Sequence, residues 1–387
     1  MKLTHKNIDL ESLKKLRNPL EKIKRENPEF LRCPDFSLRK IEEFCQKNSS
    51  YETLIVVGIG GSSLGAKAII NLLNPFSKKV LFVENIDSYE LEKILSLNLD
   101  IKKTIINIIS KSGKTLETRI NLKILQDKFP EIKIITTSDE GSELHQESVE
   151  KNWDFFPIPK NLGGRFSVLS NVGLLPLAFA GIKVEEILKG AKQAREQFLN
   201  DSWENPLLIY SLAHFQKYSL CPNFALFSYG ENFTHFNMWW RQLLGESLGK
   251  NKKIGPNPLD CIGSIDQHSL LQLFAEGPDD KIFTFLRARK KSSDITIPLI
   301  SGLESLQGKP LQEVLNASQE GTCTSLAKQG KICFALEIEE ITPRTTGELI
   351  MFFEIFVALL ADLFQINAYN QPGVEQGKII TKKILGI

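Results

Sequence analysis

The run Thr53-Leu54-Ile55-Val56-Val57-Gly58-Ile59-Gly60-Gly61-Ser62-Ser63-Leu64-Gly65 decides the fold. Its first five residues are β-branched or apolar without alternation, as in a strand covered on both faces. Glycines and serines then punctuate a turn, and the stretch from about Leu64 to Leu73 predicts an amphipathic helix. The same order recurs downstream. Val80 to Glu84, Thr104 to Ile109 and Ile132 to Thr137 read as strands, with helices from Leu91 to Leu97 and from Thr115 to Lys128 between them. Such alternation predicts a parallel sheet with helices on both faces. Ligands of these sheets bind beyond the carboxyl ends of the strands, which directs attention to the turns after Val57 and Ile109.

Upstream of this unit, Met1 to Ser49 is lysine-rich with helical spacing, and Leu38 to Cys45 reads as a helix leading into the first strand. Downstream, a loop with Pro157 and Pro159 leads to Gly163-Gly164-Arg165, and an apolar helix follows from Val168 to Ile182 despite Pro176. The alternation then restarts. Phe224 to Ser228 reads as a strand, Phe233 to Leu244 and Leu270 to Phe274 as helices, and Lys281 to Leu286 as a strand. Two further helices, Thr346 to Phe364 and Val374 to Leu385, flank the loop Asn367-Ala368-Tyr369-Asn370-Gln371-Pro372-Gly373. The expected fold class is α/β, with two doubly wound domains and parallel-rich sheets. The expected division is an N-terminal helical extension (1–49), a first domain (50–185), a second domain (186–345) and C-terminal helices that complete the active site (346–387).

Composition narrows the partners. A chain of 387 residues suits two packed domains with a cleft between them. The 42% hydrophobic and 24% charged residues describe a globular protein with a sizeable core. A net charge of +2, with both signs interspersed, offers no footprint for nucleic acid or anionic lipid, so an acidic ligand needs a local positive site. The six cysteines form no C-x-x-C pair, which fits reduced thiols and a cytoplasmic setting. The N-terminus has no signal-peptide core or lipidation motif. The most apolar segment, Leu349 to Phe364, is interrupted by Glu354 and Asp362 and falls short of the roughly 20 apolar residues a membrane span needs. No membrane partner is expected.

Several residues could carry chemistry. In the turn after Val57, Gly61 and Ser62 could let backbone N–H groups approach a phosphate or sugar hydroxyls, although a tight turn without a ligand uses the same residues. The run matches neither a P-loop nor a dinucleotide fingerprint in spacing. Ser110, Lys111, Ser112 and Thr115, in Ser110-Lys111-Ser112-Gly113-Lys114-Thr115, suit a phosphate dianion or, equally, a helix cap with solvated lysines. Arg165 follows two glycines that could admit its guanidinium to a cleft, where it would stabilise an oxyanion; a surface arginine is the plainer reading. Glu246, placed between a helix end and Gly249, is either a cleft-rim carboxylate or an ordinary solvated glutamate. His268 sits at an expected helix start, as a general acid or a cap. The other histidines show no metal spacing.

Taken in order, these segments resemble the glucose-6-phosphate isomerase (phosphoglucose isomerase) family from about Leu54 to Lys382. The resemblance rests on Val57 to Gly65, Ser110 to Thr118, GGRFSVLSNVG from Gly163, GESLGK from Gly245, GSIDQHS from Gly263 and QPGVEQGK from Gln371. It implies two sugar-isomerase (SIS) domains and a homodimer whose active site is shared between subunits. It also implies aldose–ketose isomerisation of glucose 6-phosphate and fructose 6-phosphate in glycolysis and gluconeogenesis, with no metal or redox cofactor. Glu246 would move a proton between C1 and C2, and Arg165 would stabilise the enediolate. His268 would open the ring with Glu117 as its carboxylate partner, and Lys378 would assist at the ring oxygen. Ser62, Ser110, Lys111, Ser112 and Thr115 match ligand and phosphate positions, and Gln371 matches a substrate-contacting glutamine. Two departures stand out: Lys114 where the family often has threonine, and Asn370 where an aspartate commonly precedes the glutamine. A dual phosphoglucose and phosphomannose isomerase would share this chemistry. A sugar-phosphate sensor would keep the loops but lack Glu246 together with His268 and Lys378.

Overall fold

The computed structural model describes residues 1–75, 77–290 and 295–387. The chain is a mixed α/β protein with two five-stranded sheets. The strands are β1 (Lys2–Lys6), β2 (Thr53–Val57), β3 (Lys79–Val83), β4 (Thr104–Ile109), β5 (Lys133–Ser138), β6 (Asp154–Pro157), β7 (Asn223–Tyr229), β8 (Asn257–Gly263), β9 (Lys281–Ala288) and β10 (Ile332–Ile338). The first sheet is parallel throughout in the order β3-β2-β4-β5-β6. Every residue of β2 and β4 is buried, because helices cover both faces of these inner strands. The strand order reverses between β2 and β4, so the loops leaving Val57 and Ile109 open onto one crevice.

The second sheet runs β1-β10-β9-β7-β8, parallel except for β1. The N-terminal extension expected to be helical thus begins with a strand, which pairs antiparallel with β10 before the helices start. Its sequence KLTHK is polar enough to occupy an exposed edge, where one face meets water and charges discourage further pairing. At the opposite edge, β8 accommodates Pro258, which cannot donate to a ladder.

A long helix, Pro343–Leu363, forms the spine of the core, with all but four of its residues buried. A Thr342–Thr345 capping box starts it: Thr345 N–H donates to Thr342 Oγ1 at 3.2 Å, and Thr342 N–H donates to Thr345 Oγ1 at 2.9 Å. It packs backbone to backbone against the Val184–Phe198 helix, because a Cβ at Gly190 would overlap the Arg344 carbonyl. No helix of the described residues is long and apolar enough to cross a membrane. The Glu375–Leu385 helix at the end of the chain buries none of its residues.

Candidate active site

The crevice above the first sheet is closed from one side by the turn carrying Arg165. Gly61 makes this possible, since a Cβ there would collide with the backbone of Gly164 and Arg165. Ser167 Oγ braces the contact by donating to the Gly164 carbonyl at 2.6 Å and to the Gly61 carbonyl at 3.4 Å. Ser62 closes the short 3-10 turn Gly60–Ser62 that leads into the Leu64–Leu73 helix. After β4, Ser110 and Thr115 share a hydroxyl hydrogen bond of 3.1 Å across their turn, and Ser112 Oγ accepts from Lys114 N–H at 3.2 Å. Lys111 Nζ reaches the Leu162 carbonyl at 2.9 Å, which ties this loop to the Arg165 turn. Lys114 points away, exposed and paired with Glu143 at 3.1 Å.

Arg165 is the hub. Its side chain is 1% exposed, and the five N–H donors of its guanidinium are all engaged. Nε donates to Ser247 Oγ at 2.8 Å, and Nη1 donates to Glu246 Oε2 at 3.3 Å and Gln371 Oε1 at 2.6 Å. Nη2 donates to the carbonyls of Ala368 and Asn370, the latter at 3.0 Å. Burial lowers its pKa from the ordinary arginine value, and the neighbouring Glu246 carboxylate pulls the other way. Because Asn370 engages Arg165 through its backbone carbonyl, replacing aspartate there leaves this contact in place.

Glu246 lies within the last turn of the Thr234–Leu248 helix, not beyond its end. Gly245 and Ser247 look like helix breakers in sequence, but buried Ser247 continues the helix and orients Arg165. The carboxylate is 32% exposed, so it is open to a ligand while its far oxygen accepts from Gln242 Nε2 at 3.0 Å. The amide oxygen of Gln242 is buried without a hydrogen-bond partner among the described residues. Gln242 and Lys250 escaped the sequence reading. The signal that could have found them is their spacing of four residues on either side of Glu246: Gln242 shares its helix face, and Lys250 falls just past the helix end, within reach of its last carbonyls.

The remaining candidates stay apart. Glu117 is half-buried in the first turn of the Leu116–Lys128 helix. His268 is exposed and ends the short 3-10 turn Ile265–Gln267; the next helix starts only at Leu271. That turn is rigid, since Asp266 Oδ2 accepts from Ile262 N–H at 2.6 Å and Gln267 Oε1 accepts from Ser318 Oγ at 2.7 Å. Lys378 is 60% exposed and paired only with Glu375 at 2.8 Å among the described residues. Within one chain, no described hydrogen bond or ion pair joins His268 or Lys378 to Arg165, Glu246 or Glu117.

Known proteins resemble this arrangement over nearly its whole length. The family model "Phosphoglucose isomerase" matches residues 40–278 and 308–386. A glucose-6-phosphate isomerase of Methanocaldococcus jannaschii is 36% identical over 346 residues, covering 87% of this chain and 85% of its own. A crystal structure of a hypothetical protein of Thermus thermophilus superposes with a TM-score of 0.92 at 32% identity, over 100% of both chains. A glucose-6-phosphate isomerase structure from Chlamydia trachomatis gives a TM-score of 0.80 at 25% identity, over 90% of this chain and 72% of that one. The sugar-isomerase fold, the Arg165 hub and these matches agree: the chain belongs to the phosphoglucose isomerase family.

Proposed function

We propose that the chain interconverts D-glucose 6-phosphate and D-fructose 6-phosphate through ring opening and an enediolate, as a step of glycolysis and gluconeogenesis. The observation that carries this reading is the buried Arg165 guanidinium held 3.3 Å from the half-open Glu246 carboxylate, beside two hydroxyl-rich loops at the strand-order reversal. The named relatives support it.

In the forward direction His268, polarised by Glu117, would move the proton that opens the ring, with Lys378 at the ring oxygen. Glu246 then takes the C2 proton, and the electron pair shifts onto O1 as the enediolate forms. The O2 proton then passes to O1, the C2=O2 carbonyl forms, and the carbon-bound proton returns to C1 to give the ketose, so atoms and electrons balance with no outside reagent. Arg165 faces the oxygen that becomes negative, and one such fixed donor typically supplies about 2.7–4 kcal/mol of barrier lowering. The Nη1–H now spent on Glu246 makes the longest of the guanidinium contacts, so it is the donor most readily ceded to the oxyanion. Ser110, Lys111, Ser112 and Thr115 would hold the phosphate, Gly61 and Ser62 the sugar, and Gln371 the substrate end nearest Arg165. The proposed division at residues 49, 185 and 345 keeps the first sheet within one domain, while the second sheet takes its edge strand β1 from the extension. A homodimer, with His268 serving the partner's site, and a cytoplasmic setting complete the proposal.

A coupled assay on the purified chain tests it, with glucose 6-phosphate and mannose 6-phosphate as alternative substrates. Glucose 6-phosphate turnover that falls about 10²–10⁴-fold in Glu246→Gln is expected, the range for a positioned general base. No turnover of either hexose phosphate by the unaltered chain would overturn the reading.

A further inference from the structure

Lys250 stands one helical turn beyond Glu246, just past the end of the Thr234–Leu248 helix. That end leaves the last carbonyls without intrahelical partners. Lys250 Nζ donates to one of them, the Glu246 carbonyl, at 2.7 Å. The same ammonium donates to the Asn370 carbonyl, which also accepts from Arg165 Nη2 at 3.0 Å. Three segments therefore meet at one point: the turn after β6 with Arg165, the helix end with Glu246, and the C-terminal loop with Gln371. Only Lys250 and Arg165 tie that loop to the base among the described hydrogen bonds.

We propose that Lys250 is a positioning residue of the isomerase site, pinning the C-terminal loop to the turn of helix that carries Glu246 and so holding base, guanidinium and Gln371 in register. This role rests on the isomerase reading. The charged groups facing Lys250 are Glu246 on the helix just before it and Arg165 from the turn after β6, whereas the C-terminal loop offers it a backbone carbonyl. Burial, and then the Arg165 charge, push its pKa down to about 8 against the opposing pull of Glu246. The direction sets the pH dependence. Below about 8 the ammonium keeps its charge and its strong, charge-assisted bonds; above it a neutral amine holds the two carbonyls more weakly. The pinned arrangement is thus present on the acid side and lost as pH rises.

The test measures kcat and KM against pH for the unaltered chain, Lys250→Met and Lys250→Arg, with a thermal unfolding curve for each. At neutral pH Lys250→Met should lower kcat about tenfold, the effect of losing hydrogen bonds to a charged group, and change KM less. The unaltered chain should lose kcat with a midpoint near 8, a limb absent from Lys250→Met. Lys250→Arg should recover most of the neutral-pH kcat and show no such limb, because a guanidinium does not titrate there. An unaltered kcat in Lys250→Met, or the same alkaline limb in all three proteins, overturns the role. If Lys250→Met fails to fold, Lys250→Arg decides: loss of the limb supports the role, and its retention overturns it. An unaltered chain without isomerase activity overturns the functional reading itself and the role with it, whereas an active chain with indifferent variants overturns the role alone.

Discussion

Two regions carry candidate catalytic groups, and they are built in opposite ways. Around Arg165, a buried guanidinium with every donor engaged ties together Glu246, Ser247, Gln371 and two backbone carbonyls. Around His268 and Lys378, the same chain presents an imidazole and an ammonium on exposed surfaces, with no described contact to that cluster. Proton transfer needs a base and an oxyanion donor fixed relative to each other, and burial with full hydrogen bonding fixes them. Exposed groups on a rigid turn and an uncovered helix make a site only when another surface meets them. Under the proposed function, a single chain would hold the enediolate half complete and would present the ring-opening half to a second copy.

This contrast makes the two regions respond differently to substitution. Arg165→Met should produce the largest effect: kcat falls by about 10²–10³ through loss of the oxyanion donor. Its orphaned partners should also cost stability, about 3 kcal/mol, read as a lower urea midpoint. His268→Ala should come next and should act on one region only. Turnover of the cyclic sugar drops while turnover of a predominantly open-chain substrate and the unfolding midpoint hold. Equal losses with both substrates would break the assignment of ring opening to His268. Lys111→Ala should follow, with KM raised about tenfold by loss of a phosphate cation and kcat less affected, a result that steady-state kinetics reads directly.

The smallest effect on activity is expected at His214, which lies in neither region and serves as the control. It is buried, with its Nδ1 2.8 Å from the Tyr210 carbonyl, and burial depresses its pKa to about 3. A depressed value means the neutral ring is favoured in the folded state. Its contribution to stability is present above the unfolded value of about 6.5 and is lost as pH falls from there toward about 3. His214→Gln should leave kcat unchanged and flatten the fall of the urea midpoint across that acid window. An identical pH slope in both proteins would contradict this.

Much of this fold is legible in the sequence. The inner strands β2 and β4 announce themselves because full burial demands unbroken apolar runs, and the glycines after Val57 follow from a backbone contact that excludes any Cβ. The sheet edges were harder to read. In β1, Lys2, Thr4 and Lys6 face outward around half-buried Leu3 and His5, and a short polar alternation of that kind resembles any charged segment. In β8 a proline and an aspartate interrupt the apolar pattern, which only an edge tolerates. At the site, family resemblance assigned Arg165 and Glu246, but their coupling is tertiary. The hydrogen bonds to Ser247, Gln371 and the carbonyls of Ala368 and Asn370 bridge positions more than 80 residues apart in the chain. Lys250 was hidden for the same reason, since its second partner lies 120 residues away.

The division of labour between the two regions is tested most directly by mixing chains. Glu246→Gln and His268→Ala are each expected to be nearly inactive on cyclic glucose 6-phosphate as pure proteins. Unfolded and refolded together, or produced together in one cell, they should regain substantial isomerase activity, because mixed dimers would contain one site with an intact Glu246 cluster and an intact His268 from the partner. Activity of the mixture no greater than the sum of the two separate proteins, with mixed dimers shown to form, would contradict the shared site.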